Sequence, residues 1–79
     1  MRLDKYLKVS RLIKRRTVAN EACDAGRVTI NGKVAKAGTE VKVGDELEIS
    51  FGTKPLRVRI TQIIETTKKD AASEMYTYL

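Results

Sequence analysis

The sequence predicts an α+β fold in which two N-terminal helices pack on a small, mainly antiparallel β-sheet. Apolar residues near the N-terminus recur at helical spacing, whereas residues from 27 onward alternate between polar and apolar side chains. Asn31-Gly32, a strong signal for a two-residue hairpin turn, separates the first two alternating runs. We therefore expect helices first and then short strands within one small domain.

Two stripes predict the helices. Each stripe keeps the spacing of one buried helix face: Leu3, Tyr6, Leu7 and Ser10, then Ala19, Ala22 and Cys23. The basic stretch 11–16 lies between them and is predicted to connect the two helices. Gly26 follows the second stripe and favours a left-handed end to that helix. Cys23 is interpreted as a small core residue, because no histidine is present to activate its thiol.

The alternating segments predict a sheet of short strands. Alternation runs through residues 27–30, 33–34, 39–43, 46–51 and 56–60, with turn residues between several of these runs. We assign residues 1–65 to the domain and residues 66–79 to a C-terminal tail. Asp70 is a candidate N-cap of a short tail helix. The apolar tail residues either fold back on the sheet or form a small exposed patch: Met75, Tyr76, Tyr78 and Leu79.

The chain carries an uneven positive charge. Its 16 Lys and Arg against 10 Asp and Glu give a formal net charge of +6 over 79 residues. Residues 1–36 hold ten basic and three acidic side chains, net +7, whereas residues 37–79 hold six basic and seven acidic ones, net −1. This asymmetry indicates a face that binds nucleic acid and a supporting scaffold. The alternative is a solvated surface that keeps the protein soluble.

The composition excludes several classes of protein. One cysteine cannot form an internal disulfide, and the absence of histidine removes the commonest general base and metal ligand. No apolar run is long enough to span a bilayer or to form a signal peptide. We therefore expect a cytoplasmic protein that is not an enzyme, with no cofactor or metal and with neither a membrane nor a small-molecule substrate as its partner.

The cations near the helix connection are the first candidate site. The helical turns and the connection offer six of them to one surface: Lys5, Lys8, Arg11, Lys14, Arg15 and Arg16. Thr17 and Asn20 are candidate phosphate donors, although Thr17 is equally interpreted as the N-cap of the second helix. Arg27, Asn31, Lys33 and Lys36 flank the first hairpin and extend the patch if that hairpin lies beside the helices. Aromatic residues are few, which favours recognition of folded RNA by shape and phosphate.

Residues 2–7, 16–19, 26–33 and 43–47 together resemble, in order, the S4 RNA-binding domain, over roughly residues 1–51. Arg15 departs from the pattern, because the family often has a serine there that caps the second helix. Within S4 proteins, the chain is similar to the stand-alone heat-shock-protein-15-like group. Its tail resembles the Bacillus-type RqcP group of ribosome-quality-control proteins.

This resemblance implies an S4-type (αL) fold over residues 1–65 and a role in the C-terminal tailing of stalled nascent chains. The implied partners are large-subunit rRNA, peptidyl-tRNA on obstructed 50S subunits and an RqcH-type tailing factor. The implied RNA-contacting positions are Arg2, Asp4, Lys5, Lys8, Arg11, Arg16, Thr17 and Arg27, and further Lys14, Arg15, Asn20 and Lys33. Asp4 is expected to orient Arg16 or Arg2, or to accept a hydrogen bond from a ribose 2′-OH or a base amine.

Other functions stay open. The chain is alternatively a protein-interaction adaptor that docks through residues 75–78 and an acidic strand edge, or a general rRNA-binding factor in ribosome assembly. A fragment of an RNA-modifying enzyme is disfavoured, because the sequence offers no nucleophile paired with a base.

Overall fold

The structure, a computed structural model, describes residues 1–64 and 74–79. Within these ranges two helices precede five strands: α1 (Leu3–Val9), α2 (Arg16–Asp24), β1 (Val28–Ile30), β2 (Lys33–Val34), β3 (Glu46–Phe51), β4 (Lys54–Ile60) and β5 (Tyr76–Tyr78). The strand order across the sheet is β2-β1-β3-β4-β5, and each neighbouring pair is antiparallel. The predicted α+β class, with its two N-terminal helices, is confirmed.

One hydrophobic core joins the helices to the sheet. The buried hydrophobic residues of the helices belong to the two predicted stripes, and β3 and β4 add alternate positions to the same core: Leu47, Ile49, Val58 and Ile60. Since side chains alternate along a strand, the intervening charged residues of β3 and β4 lie on the opposite face of the sheet. There Glu46 pairs with Arg59 and Glu48 with Arg57 across the strands. The helices therefore cover one face and leave a polar face to solvent.

A residue with positive φ follows each of the two helices, but the residue type differs. After α2, Gly26 has φ +73°; its N–H donates to Cys23 O, and the N–H of Arg27 donates to Ala22 O, both at 3.0 Å. This is the Schellman arrangement, and glycine is the residue that adopts it at least cost. After α1 the left-handed residue is Arg11, with φ +63°. A non-glycine residue has a steric cost in this conformation.

The Asn31-Gly32 pair forms the predicted hairpin between β1 and β2. Both residues have positive φ, +51° and +84°, as a type I′ turn requires. The Asn31 side chain also holds the start of β3: its Nδ2 donates to Asp45 Oδ1 at 3.2 Å, and its Oδ1 accepts from the Glu46 N–H at 3.0 Å. One asparagine therefore fixes both the turn and the neighbouring strand.

The alternation at residues 39–43 does not produce a strand. Its only bridge pairs Glu40 with Arg2, within the part of the chain that the structure describes. The backbone here binds the start of α1 instead, because the Leu3 N–H donates to Thr39 O and the Val41 N–H donates to Met1 O. The alternating pattern therefore reflects the burial of one residue, Val41, in a loop that packs on the N-terminus of α1.

The end of the chain folds back on the sheet. Met75 is fully buried, and β5 pairs with β4, so the first of the two sequence interpretations of these residues is confirmed. The predicted helix capped by Asp70 and the expected boundary between residues 65 and 66 lie outside the described residues. Among the described residues, no helix is both long enough and apolar enough to cross a membrane.

Candidate nucleic-acid interface

Asp4 is the centre of the site. It lies in the first turn of α1 with only 2% of its surface exposed, where the helix dipole favours a carboxylate. Four groups surround its two oxygens: the Lys5 N–H at 2.8 Å and Arg2 Nε at 3.3 Å on Oδ1, and Arg16 Nε at 3.3 Å and Asn20 Nδ2 at 3.5 Å on Oδ2. A buried carboxylate needs such donors to stay charged. Asp4 therefore joins the starts of both helices.

The electrostatic balance keeps Asp4 ionised. Burial by itself raises the pKa of the carboxyl group. The hydrogen bonds from Arg16 and from the Lys5 N–H, with the charges of Arg16 and Arg2, outweigh burial and hold the pKa below its ordinary value. At neutral pH the carboxylate is thus a fixed anion between two cations.

The side chains of Arg2 and Arg16 both contact Asp4 and remain partly exposed to solvent. Both approach Asp4 through Nε, while 52% of the Arg2 side chain and 48% of the Arg16 side chain are exposed. Each guanidinium carries further N–H donors on its two terminal nitrogens, in a planar fork that matches a phosphate. The carboxylate therefore holds two guanidinium groups in place and leaves about half of each arginine side chain exposed.

Asp4 and Arg16 also line a shallow concavity on the surface, together with Thr17, Asn20 and Glu21. The interpretation of Thr17 as an N-cap is wrong, because α2 begins at Arg16 and Arg15 occupies the N-cap position. Arg15 has an extended backbone and makes no capping hydrogen bond through its side chain. Thr17 lies in the first turn of α2, next to Arg16, and is exposed.

The structure brings together four of the predicted residues directly: Arg2, Asp4, Arg16 and Asn20. The other predicted cations lie in α1, in the connection between the helices, after α2 and on β2. Six are exposed and Lys5 is partly buried; the exposed ones are Lys8, Arg11, Lys14, Arg15, Arg27 and Lys33. Their contact with RNA stays a prediction. The expected charge-assisted contact of Asp4 with Arg16 or Arg2 is present to both arginines, whereas its role in orienting them for RNA stays a prediction.

Sequence reasoning missed the loop that faces Arg2. A Cβ on Gly38 would lie 3.8 Å from an Nη atom of Arg2. The backbone of Glu40 forms an antiparallel β-bridge with the backbone of Arg2. Glu40 also forms an ion pair of 2.8 Å with the α-ammonium group of Met1. Nothing in the local sequence indicates these contacts, because they join residues more than thirty positions apart.

Cys23 is buried beneath this surface. Burial, with smaller contributions from Asp4 and Asp24, raises the pKa of its thiol to about 11. The thiol is therefore protonated at neutral pH, as the interpretation of Cys23 as a core residue requires.

The chain is similar to known proteins of one family. The family model for the S4 domain matches residues 1–47. A protein of Halalkalibacterium halodurans named RQC P-site tRNA stabilizing factor is 64% identical over 76 residues, which cover 96% of this chain and 86% of that protein. The Bacillus subtilis protein of the same name is 58% identical over 79 residues, covering 100% of this chain and 92% of its own.

Solved structures show the same fold. Heat shock protein 15 of Vibrio cholerae, described as trimeric, superposes with a TM-score of 0.91 at 28% sequence identity, covering 100% of this chain and 81% of the other. The match includes β5, which follows the segment that the S4 family model covers. The chain belongs to the S4 domain family, and within it to the group of RQC P-site tRNA stabilizing factors.

Proposed function

We propose that this protein binds folded RNA on the large ribosomal subunit, both rRNA and a P-site tRNA, and so supports ribosome quality control. One observation carries the proposal: a single buried carboxylate, Asp4, holds half-exposed arginines from the starts of both helices. The relatives add the setting, since their names describe stabilisation of a P-site tRNA.

The geometry supports phosphate binding through preorganisation. A free arginine loses rotamer entropy when it binds phosphate, whereas Arg2 and Arg16 already have one end fixed. The surrounding cations supply the long-range attraction, because residues 1–36 carry the whole surplus of positive charge. The Asn20 amide and the Thr17 hydroxyl, beside Arg16, suit a second phosphate oxygen or a ribose hydroxyl.

The finer proposal follows the relatives. The protein acts in the cytoplasm on obstructed large subunits that still hold peptidyl-tRNA, and it supports an RqcH-type factor in C-terminal tailing. Its contribution is binding, not catalysis: the buried Asp4 is engaged by two arginines, and the pKa of the Cys23 thiol is too high for a nucleophile.

The test is binding of Arg2→Gln and Arg16→Gln to purified large subunits that carry peptidyl-tRNA. Each substitution removes a charged hydrogen-bond donor, so we expect the affinity to fall about tenfold or more. The logarithmic salt slope falls by about 0.7–0.9 for each phosphate that the variant no longer neutralises. Arg59→Gln is the matched control, because Arg59 is half-exposed and paired with a glutamate on the open face of the sheet.

An equal loss of affinity in Arg59→Gln contradicts this assignment of the binding face. Binding that is equally tight with and without peptidyl-tRNA on the subunit favours the role of a general rRNA-binding assembly factor.

An adaptor function has one supporting observation. Tyr78 and Leu79 of the last strand region are 65% and 51% exposed. Removal of residues 70–79 does not test this function, because it takes away β5 and the buried Met75 and so destabilises the fold. Tyr78→Ser tests it: an adaptor loses its protein partner, whereas an RNA-binding protein keeps its affinity for the subunit.

A further inference from the structure

The loop between β2 and β3 is fixed against the start of α1. Its backbone makes three hydrogen bonds with that terminus: Leu3 N–H to Thr39 O at 2.8 Å, Asp4 N–H to Ala37 O at 3.2 Å, and Val41 N–H to Met1 O at 3.0 Å. The bonds from Leu3 and Val41 together form an antiparallel β-bridge between Arg2 and Glu40. The loop therefore lies in a defined position beside the Arg2 side chain.

Gly38 is the residue of this loop that faces the Arg2 guanidinium. A Cβ atom at this position would lie 3.8 Å from Nη2 and 4.0 Å from Cζ of Arg2; within the described part of the chain it would meet no other heavy atom closer than 4 Å, its sequence neighbours aside. The backbone does not require glycine here, because the φ of Gly38 lies outside the left-handed region that the other four glycines adopt. The absence of a side chain at Gly38 leaves space beside the Arg2 guanidinium.

We propose that Gly38 is a positioning residue for RNA binding, because the space it leaves lets the Arg2 guanidinium keep its ion pair with Asp4 and stay open to a phosphate. This inference rests on the function proposed above. Asp4 holds Arg2 through Nε on one side, and the bare backbone of Gly38 lies beside the terminal nitrogen on the other. A side chain longer than alanine at this position either pushes the guanidinium away from Asp4 or covers it.

The steric argument predicts a graded response. A methyl group at 3.8 Å makes an ordinary van der Waals contact, so Gly38→Ala is accommodated. A glutamine side chain is long enough to reach the guanidinium from this position, and it changes no charge. We therefore expect the effect of Gly38→Gln on RNA affinity to depend on Arg2.

The experiment is a double-mutant cycle between positions 2 and 38, read as affinity for large subunits that carry peptidyl-tRNA. We expect Gly38→Ala to stay within about twofold of the wild type and Gly38→Gln to lose about tenfold. In the Arg2→Gln background, Gly38→Gln has no further effect. Thr53→Gln, a neutral change in the exposed turn between β3 and β4, is the control and leaves the affinity unchanged.

The melting curve of each variant is measured to confirm that it folds. If Gly38→Gln does not fold, Gly38→Ser replaces it. We then expect a smaller loss of affinity with the same dependence on Arg2. An equal loss from the position 38 substitution in both backgrounds overturns the inference and leaves the proposed function intact. If Arg2→Gln alone leaves the affinity unchanged, the proposed role of Arg2 in RNA binding fails instead.

Discussion

Arg16 Nε lies 3.3 Å from Oδ2 of Asp4, twelve positions earlier in the chain, and this ion pair joins the first turn of α2 to the first turn of α1. A carboxylate in the middle of the proposed RNA-binding surface opposes the binding of an anion if charge alone is counted. Its burial between two arginines gives it another role, because it fixes where the two guanidinium groups point. Substitutions and pH can test this role and the elements that support it.

Asp4→Asn lowers RNA affinity although it raises the net charge of the protein from +6 to +7. The amide keeps the size of the carboxylate but releases both arginines from their ion pairs, and it leaves a buried polar group with weaker partners. We expect a loss of affinity of about tenfold and a loss of about 1–3 kcal/mol in the free energy of unfolding. Filter binding and chemical denaturation measure the two quantities.

Asp24→Asn is the control for Asp4→Asn, since it makes the same charge change at an exposed position at the end of α2. Simple electrostatics predicts slightly tighter binding by both variants. If Asp4→Asn binds as tightly as Asp24→Asn, the carboxylate has no orienting role.

Acid destabilises the wild type through Asp4. The pKa of this group is lowered in the folded state, so the unfolded chain takes up the proton first as the pH falls. The stabilisation that Asp4 provides is complete above its ordinary pKa of 3.8 and is lost as the pH falls through the lower folded value. The difference in unfolding free energy between the wild type and Asp4→Asn is therefore constant near neutrality and shrinks below about pH 4. A constant difference down to the lowest accessible pH contradicts the assignment.

Arg11→Gly separates stability from binding. Arg11 has φ +63°, and glycine adopts this left-handed conformation without the steric cost of a Cβ. We expect the free energy of unfolding to rise by about 1 kcal/mol while the affinity for RNA falls, because an exposed cation is lost. Lys14→Gly removes the same charge from a residue without positive φ, so it lowers the affinity with no gain in stability. A fall in stability for Arg11→Gly contradicts the strain argument.

Tyr6→Phe tests how the last strand is attached to the first helix. The Tyr6 hydroxyl donates a hydrogen bond of 2.6 Å to the carbonyl of Met75, and both residues are fully buried. The Met75 carbonyl keeps the hydrogen bonds from the Thr61 and Gln62 N–H groups, so the variant loses one bond and costs about 0.5–1.5 kcal/mol of unfolding free energy. RNA affinity, measured under conditions where the variant is folded, stays unchanged because Tyr6 faces the core. A loss of affinity as large as that of Arg16→Gln shows that the RNA site extends to β5.

The local elements of the fold could be predicted from the sequence because their signals come from neighbouring residues. Helical spacing at Leu3, Tyr6 and Leu7, the glycine after α2 and the Asn31-Gly32 turn each depend on preferences within a few positions. The same short-range signal was wrong at residues 39–43, because alternation records which side chains are buried and does not say whether a strand or a helix terminus covers them.

The sequence by itself determined the two helices, most of the strands, and the half of the chain in which the positive charge is concentrated. Only the tertiary structure decided which cations belong together. The pairing of Asp4 with Arg16 depends on how α2 packs against α1, and the approach of Gly38 to Arg2 depends on a loop that returns from the sheet. Such contacts join residues far apart in the chain, and their geometry is set by the packing of the core, which local preferences do not encode.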